Sequence, residues 1–96
     1  MSNKATSTLV AENTWTDAVN ARAARLVTVS VTDGTATLCT VQRMGADDNW
    51  ADIETLTSPF EKEYRSGAPR QMRVGVATGD YTDSVTVSIE VGNRAG

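Results

Sequence analysis

Seven residues near the C-terminal end of the chain, from Val85 to Val91, alternate strictly between apolar and polar side chains. Because successive side chains of a β-strand point to opposite faces, this pattern predicts a strand with one buried face. Residues 26–32 and 72–77 alternate in the same way and predict two further strands. The side chains predicted to face inward in these two strands are Val27, Val29, Val31, Met72, Val74 and Val76. An amphipathic helix would need apolar residues about every 3.6 positions, so the repeated alternation favours an all-β fold.

Weaker alternation predicts five more strands. These are residues 7–11, 14–19, 37–43, 50–57 and 60–64. In the strand 37–43, Cys39 and Val41 are predicted to face inward. The strand 50–57 is predicted to contain a bulge near Ile53 and Leu56. Strand patterns that recur roughly every 8–12 residues are typical of a sandwich or a small barrel. We therefore predict an all-β fold, an antiparallel β-sandwich of about eight short strands. Jelly-roll and immunoglobulin-like topologies are both compatible with the pattern.

Turn residues separate the predicted strands. Asp33-Gly34 lies between two strand patterns and predicts a tight hairpin, because glycine readily adopts the positive φ that such a turn needs. The alanine-rich segment 17–25 predicts a strand end followed by a loop or a brief helix. A chain of 96 residues is long enough to bury a single core. We therefore expect one domain over residues 1–96, with short polar tails at about 1–6 and 92–96.

Composition excludes several classes of function. The chain has no histidine and one cysteine, so a histidine-based triad, a His–Cys zinc site and an internal disulfide are excluded. The formal net charge of −3 argues against a nucleic-acid partner. No segment approaches the roughly 20 apolar residues of a membrane span, and the polar N-terminus lacks the apolar stretch of a secretory signal. Cys39 is expected to be a small core residue in a protein made in a reducing cytoplasm.

The carboxylates are the remaining candidates for catalysis or metal binding. Two carboxylates can hydrolyse a glycoside when a cleft holds them at a suitable distance on either side of the scissile bond. The short loops of a small sandwich predict no such cleft. The oxygen-rich segments 47–49 and 80–83 lack the spacing of a calcium loop. They are expected to be turns, because Asp and Asn side chains hydrogen-bond their own backbone. We therefore predict no catalytic residue, no cofactor and no metal site.

Aromatic and arginine side chains are the candidates for contacts with a partner. Trp15 and Trp50 are expected to cap the two ends of the core, since tryptophan is highly buried on average. The alternative is that an exposed tryptophan stacks on a sugar. Arginine is enriched in protein interfaces. The alternative is that these arginines lie on a solvated surface, where they form weak ion pairs and bind no partner. The candidate partner contacts are Arg22, Arg25, Arg65, Arg70, Trp50 and Tyr81.

Four motifs occur in an order that is distinctive, although each motif alone is a generic strand and turn. They are residues 12–17 (ENTWTD), residues 41–43 followed after an acidic loop by 50–55 (VQR and WADIET), residues 59–63 (PFEKE) and residues 72–82 (MRVGVATGDYT). Together they resemble small β-sandwich structural proteins of tailed bacteriophages, over nearly the whole chain from about Leu9 to Glu90. The sequence departs from that pattern in two loops. Residues 44–49 lack paired glycines, and residues 21–25 replace a shorter turn.

The resemblance implies a non-enzymatic virion protein that is made in the bacterial cytoplasm. Small proteins of this type decorate or cement the capsid exterior, where they bind the major capsid protein as symmetric homo-oligomers. A dimer or trimer of this chain is therefore expected on the assembled shell, with no nucleic-acid or membrane partner. The alternative is a carbohydrate-binding or adhesion module of a phage tail or fibre, whose partner would be a host glycan.

Overall fold

The computed structural model describes residues 4–21, 26–34, 37–65 and 70–92. These residues form nine strands, and all of their ladders are antiparallel. The strands are β1 (Lys4–Leu9), β2 (Thr14–Trp15), β3 (Val19–Ala21), β4 (Leu26–Thr32), β5 (Leu38–Met44), β6 (Trp50–Thr57), β7 (Phe60–Arg65), β8 (Arg70–Val76) and β9 (Val85–Val91). No helix that is long and apolar enough to cross a membrane occurs in these residues.

The strands form two sheets. The first sheet has the order β1-β9-β4-β7, and the second has the order β2-β8-β5-β6, with β3 also paired to β8. If β2 and β3 are taken as two segments of one edge, the pairs β1 with β9, β2/β3 with β8, β4 with β7 and β5 with β6 are nested. This is the path of one long hairpin that is rolled up on itself. The predicted antiparallel β-sandwich is confirmed.

The core lies between the two sheets and consists largely of β-branched side chains. Val85, Val87 and Ile89 of the first sheet are fully buried, as are Val74 and Val76 of the second. All the inward positions predicted from strict alternation are buried. Valine and isoleucine pack well on a pleated surface because their χ1 angles are already restricted, so this composition suits a thin sandwich.

The register of β5 and β6 contains the predicted bulge. Val41 pairs with Glu54 and Gln42 pairs with Asp52, so Ile53 is one extra residue on β6. A bulge bends its strand and redirects the side chains around it. Ile53, which lies at this irregularity, is 40% exposed.

The hairpin predicted at Asp33-Gly34 is wrong. Both residues have positive φ angles, 63° and 81°, but β4 lies in the first sheet and β5 in the second. The turn therefore carries the chain between the sheets. A side chain at Gly34 would collide with the Cγ1 atom of Val85, so glycine is required there by contact as well as by conformation. Sequence alternation identifies strands but does not tell which sheet each one joins.

Two boundary predictions at the N-terminal side are also wrong. Residues 4–6 belong to β1, which pairs with β9 from Lys4 onwards, and so they are not part of a tail. The strand predicted at 14–19 is divided into β2 and β3. At the break, Thr16 bonds to Val74 twice, through its backbone N–H to the carbonyl and through its hydroxyl oxygen, which accepts from the Val74 N–H. The hydroxyl replaces part of the ladder and interrupts this sheet edge.

Candidate functional site

The outer face of the second sheet carries two tryptophans and an arginine in direct contact. The guanidinium carbon of Arg73 lies 4.4 Å from the ring centroid of Trp15 and 4.4 Å from that of Trp50. All three side chains are half-buried. A guanidinium at this distance from an aromatic face is held by a cation–π interaction, typically worth about 0.5–2 kcal/mol.

Strand register brings the two tryptophans and Arg73 together. Arg73 on β8 pairs with Gln42 on β5, and Gln42 pairs with Asp52 on β6. The side chains of Arg73, Gln42 and Asp52 all point away from the core. Trp15 on β2 pairs with Gly75, one outward position along from Arg73. The residues converge only because β2, β8, β5 and β6 are neighbours in the sheet.

Gly75 allows Trp15 to lie down on the sheet. A Cβ atom at this position would come within 2.5 Å of the indole atom Cε3 and would also meet the carbonyl oxygen of Thr14. Real Cβ atoms do not approach other atoms so closely. The glycine therefore makes room for the aromatic ring over the sheet, which is a known use of glycine in strands.

Hydrogen bonds fix the arginine from one side. The Nε–H group of Arg73 donates to Oε1 of Gln42 at 2.8 Å, and Nε2 of Gln42 donates to Oδ1 of Asp52 at 2.8 Å. Partial burial lowers the pKa of Arg73 relative to an exposed arginine. We call Trp15, Gln42, Trp50, Asp52 and Arg73 the tryptophan–arginine surface. It places aromatic and charged groups side by side on the outer face of the second sheet.

This arrangement corrects the expectation for the tryptophans. Trp15 and Trp50 do not cap the core; they lie on the outer face of the second sheet, where they contact Arg73. The statistical burial of tryptophan was misleading because the guanidinium supplies the covering surface that a core would otherwise supply. Arg73 was not among the predicted contacts. The available signal was its position in the 72–77 alternation, which places it outward beside Gly75.

The other predicted contact residues are dispersed. Arg65 is exposed at the end of β7, and Arg70 is half-buried at the start of β8 and makes an interaction within the protein. Tyr81 is half-buried and packs against the core. Arg22 and Arg25 lie outside the described residues.

A second polar cluster joins the edges of the two sheets. Glu54 on β6 receives hydrogen bonds from the Lys62 ammonium at 2.8 Å and the Tyr64 hydroxyl at 2.9 Å, both on β7. The bonds from Lys62 and then from Tyr64 lower the pKa of Glu54. Burial, followed by the bond to Glu54, raises the pKa of Tyr64. We call these three residues the edge clasp, because they connect strands of opposite sheets.

The acidic loops form turns. Oδ1 of Asp47 accepts a bond from the Asn49 backbone N–H at 3.2 Å, and Gly45 and Asn49 close the loop through their backbones. The bonds to Asn49 lower the pKa of Asp47. Oδ1 of Asp83 likewise accepts from the backbone of Ser84. Among the described residues, no three acidic or cysteine side chains are grouped to hold a metal ion.

Comparisons of the chain with protein-family models, with curated proteins and with solved structures find no match.

Proposed function

We propose that this chain is a non-catalytic structural protein of a tailed-bacteriophage virion, a decoration or cement protein that binds the assembled capsid shell. The observation that carries the proposal is the stacking of Arg73 on Trp15 and Trp50 at the surface. Tryptophan and arginine are the residues most enriched in interface hot spots. The order of the sequence motifs resembles that of small phage structural proteins, and this resemblance favours the major capsid protein as the partner.

Contacts within this surface favour binding. The Nε–H group of Arg73 donates to Gln42, and the ring centroids of Trp15 and Trp50 each lie 4.4 Å from the guanidinium carbon. Side chains that are already ordered lose little conformational entropy when a partner covers them. The terminal N–H groups of the guanidinium have no hydrogen-bond partner among the described residues, so they suit a carboxylate or carbonyl of the partner.

The strand order gives a second, weaker support. We assign the nested pairs of strands to a jelly roll, an architecture found among viral capsid and lectin domains. This is an analogy of fold, and fold alone does not determine function. It is consistent with a protein that acts by surface complementarity.

Repetition of the shell makes a modest contact sufficient. A capsid presents many identical sites, and a dimer or trimer of this chain that engages two or three of them gains affinity through effective concentration. Neighbouring capsid subunits would then be tied together on the exterior.

The first experiment measures how many copies of the protein each virion holds and how tightly they bind. Quantitative mass spectrometry of purified virions should give hundreds of copies for a capsid protein, whereas a handful would place it in the tail and overturn the proposal. Co-sedimentation with capsids that lack the protein should weaken at least tenfold for Trp50→Ala and Arg73→Ala. That loss corresponds to about 1.4 kcal/mol. Ser30→Ala, on the outer face of the first sheet, is the control and should bind as the unmodified protein does.

The alternative function is sugar binding by a tail or fibre module. The half-buried rings of Trp15 and Trp50 on one sheet face specifically favour it, because aromatic faces can stack on sugars. Tryptophan fluorescence should change when host-surface glycans are added if this alternative is correct. Unchanged fluorescence together with tight capsid binding would favour the decoration protein.

A further inference from the structure

A cleft of about 270 Å³ opens between the two sheets at the edge formed by β6 and β7. We call it the β6–β7 cleft. It faces between the sheets, whereas the tryptophan–arginine surface covers the outer face of the second sheet, and Asp52 is the one residue that belongs to both. Its volume is below the roughly 300–1,000 Å³ of drug-sized ligand sites, so it suits a group about as large as one side chain.

Apolar side chains line the inner part of the cleft. Met72 contributes from β8 and is 1% exposed, and the half-buried ring of Tyr64 contributes from β7. Ile53 joins them from β6; it is the extra residue of the bulge and is 40% exposed. Bulges are over-represented next to functional sites, where they redirect a side chain.

Two arginines, Arg43 on β5 and Arg65 on β7, line the same cleft. Both are exposed, and neither has a hydrogen-bond acceptor or an ion-pair partner among the described residues. One carboxylate, that of Asp52, also lines the cleft, and its Oδ1 accepts a hydrogen bond from the Gln42 amide. Glu54 is engaged by Lys62 and Tyr64. The two arginines therefore outnumber the single acidic lining residue. The cleft therefore combines apolar contact surface with two guanidinium groups that are free to bind an anion.

We propose that the β6–β7 cleft binds an apolar carboxylate, a short aliphatic or aromatic group that carries one carboxyl group. The apolar part contacts Ile53, Met72 and the Tyr64 ring, and the carboxylate accepts hydrogen bonds from Arg43 or Arg65. Arginine suits this role because its planar fork matches a carboxylate. The same chemistry is present in a free carboxylic acid and in a polypeptide that ends in leucine or phenylalanine.

The test is an NMR titration of the full chain with three probes of equal length: hexanoate, hexanol and hexylamine. Hexanoate should shift the amide signals of β6, β7 and Met72, with a dissociation constant in the millimolar range. Hexanol and hexylamine should bind at least fivefold more weakly, and added salt should weaken hexanoate alone. Equal binding of hexanol and hexanoate, or shifts located away from the cleft, would overturn the proposal.

A second arm distinguishes the two sources of the carboxylate. The tripeptide N-acetyl-Gly-Gly-Leu should bind more tightly than hexanoate if the site takes polypeptide ends, and its C-terminal amide should then bind at least fivefold more weakly. If hexanoate binds and the free-acid peptide does not, the site takes small acids. If neither binds, the proposal is wrong.

Variants of the cleft connect the binding to named side chains. Arg43→Gln combined with Arg65→Gln should weaken hexanoate at least tenfold, and Ile53→Asp should abolish binding. Ile53 and both arginines are exposed, so the variants should fold, which an amide NMR spectrum verifies. Lys4→Gln removes one positive charge at the opposite edge of the first sheet and should leave hexanoate binding unchanged. Capsid binding is not required in any arm, so this proposal and the decoration function can fail separately.

Discussion

The hydroxyl group of Tyr64 donates a hydrogen bond of 2.9 Å to Oε1 of Glu54, and this bond joins the outermost strands of the two sheets. Lys62 approaches both oxygens of the same carboxylate, at 2.7 and 2.8 Å. The edges of a sandwich expose unpaired backbone groups, and charged side chains on them discourage unwanted pairing with other chains. Here the charged side chains also bond to each other across the gap between the sheets.

The edge clasp predicts a specific response to acid. Because the pKa of Glu54 is lowered from its ordinary value of 4.5, its ionised form stabilises the fold at any pH above 4.5. That contribution is lost as the pH falls through the lowered pKa. The free energy of unfolding, measured with urea, should therefore fall less between pH 7 and about pH 3 in Glu54→Gln than in the unmodified protein. An equal fall in both proteins would mean that the clasp contributes nothing to stability.

Tyr64→Phe separates the two donors of the clasp. The variant keeps the ring, and with it the wall of the β6–β7 cleft, but removes the hydroxyl group that bonds to Glu54. Stability at pH 7 should fall, and the acid dependence should lie between those of the unmodified protein and Glu54→Gln, since Lys62 still pairs with the carboxylate. Urea denaturation measures both quantities. An acid dependence equal to that of Glu54→Gln would show that Lys62 contributes nothing to the pH-dependent stability.

Cys39 should be almost inert towards thiol reagents in the folded protein. Its side chain is fully buried, and burial, followed by the charge of Asp80, raises its pKa from 9.0 to about 11. At pH 8 the thiolate fraction is then on the order of one in a thousand, a hundredfold below that of an ordinary thiol. Labelling with a chromogenic disulfide should be slow in buffer and fast in denaturant. Rapid labelling of the native state would show that β5 opens readily.

Gly75→Ala tests whether the tryptophan–arginine surface depends on this glycine. The added methyl group collides with the Trp15 ring, so we expect a loss of about 1–3 kcal/mol in unfolding free energy. The tryptophan emission should also change, because Trp15 must leave Arg73. Gly45→Ala is the matched control: its nearest contact, at 2.9 Å, is Oδ1 of the exposed Asp47 carboxylate, which can move at the cost of its long bond from the Asn49 N–H. A similar loss in both variants would refute the specific role of Gly75.

The sequence was most informative where one physical rule determines the outcome. Strict alternation, as in Val85 to Val91, identified the strands and their buried faces, because the pleat leaves only two directions for side chains. It does not assign strands to sheets, so it predicts a hairpin at Asp33-Gly34, where the chain in fact crosses from one sheet to the other. The tryptophan–arginine surface depends on contacts across four strands, which local patterns do not encode. Its local signal was the outward position of Arg73 and Gly75 in the alternation of residues 72–77.

Val87→Asp tests the inward face on which the whole fold depends. Val87 is fully buried on the central strand pair β4 and β9, and a carboxylate there has no partner among the core side chains. Burial of an unpaired charge costs several kcal/mol, a large share of the roughly 5–15 kcal/mol that stabilises a domain. The variant should be unfolded by circular dichroism and amide NMR. Ser88→Asp places the same charge on the outer face, opposite the uncharged Thr6 and Ser30, and should fold normally. A cooperatively folded Val87→Asp protein would contradict the assigned strand face.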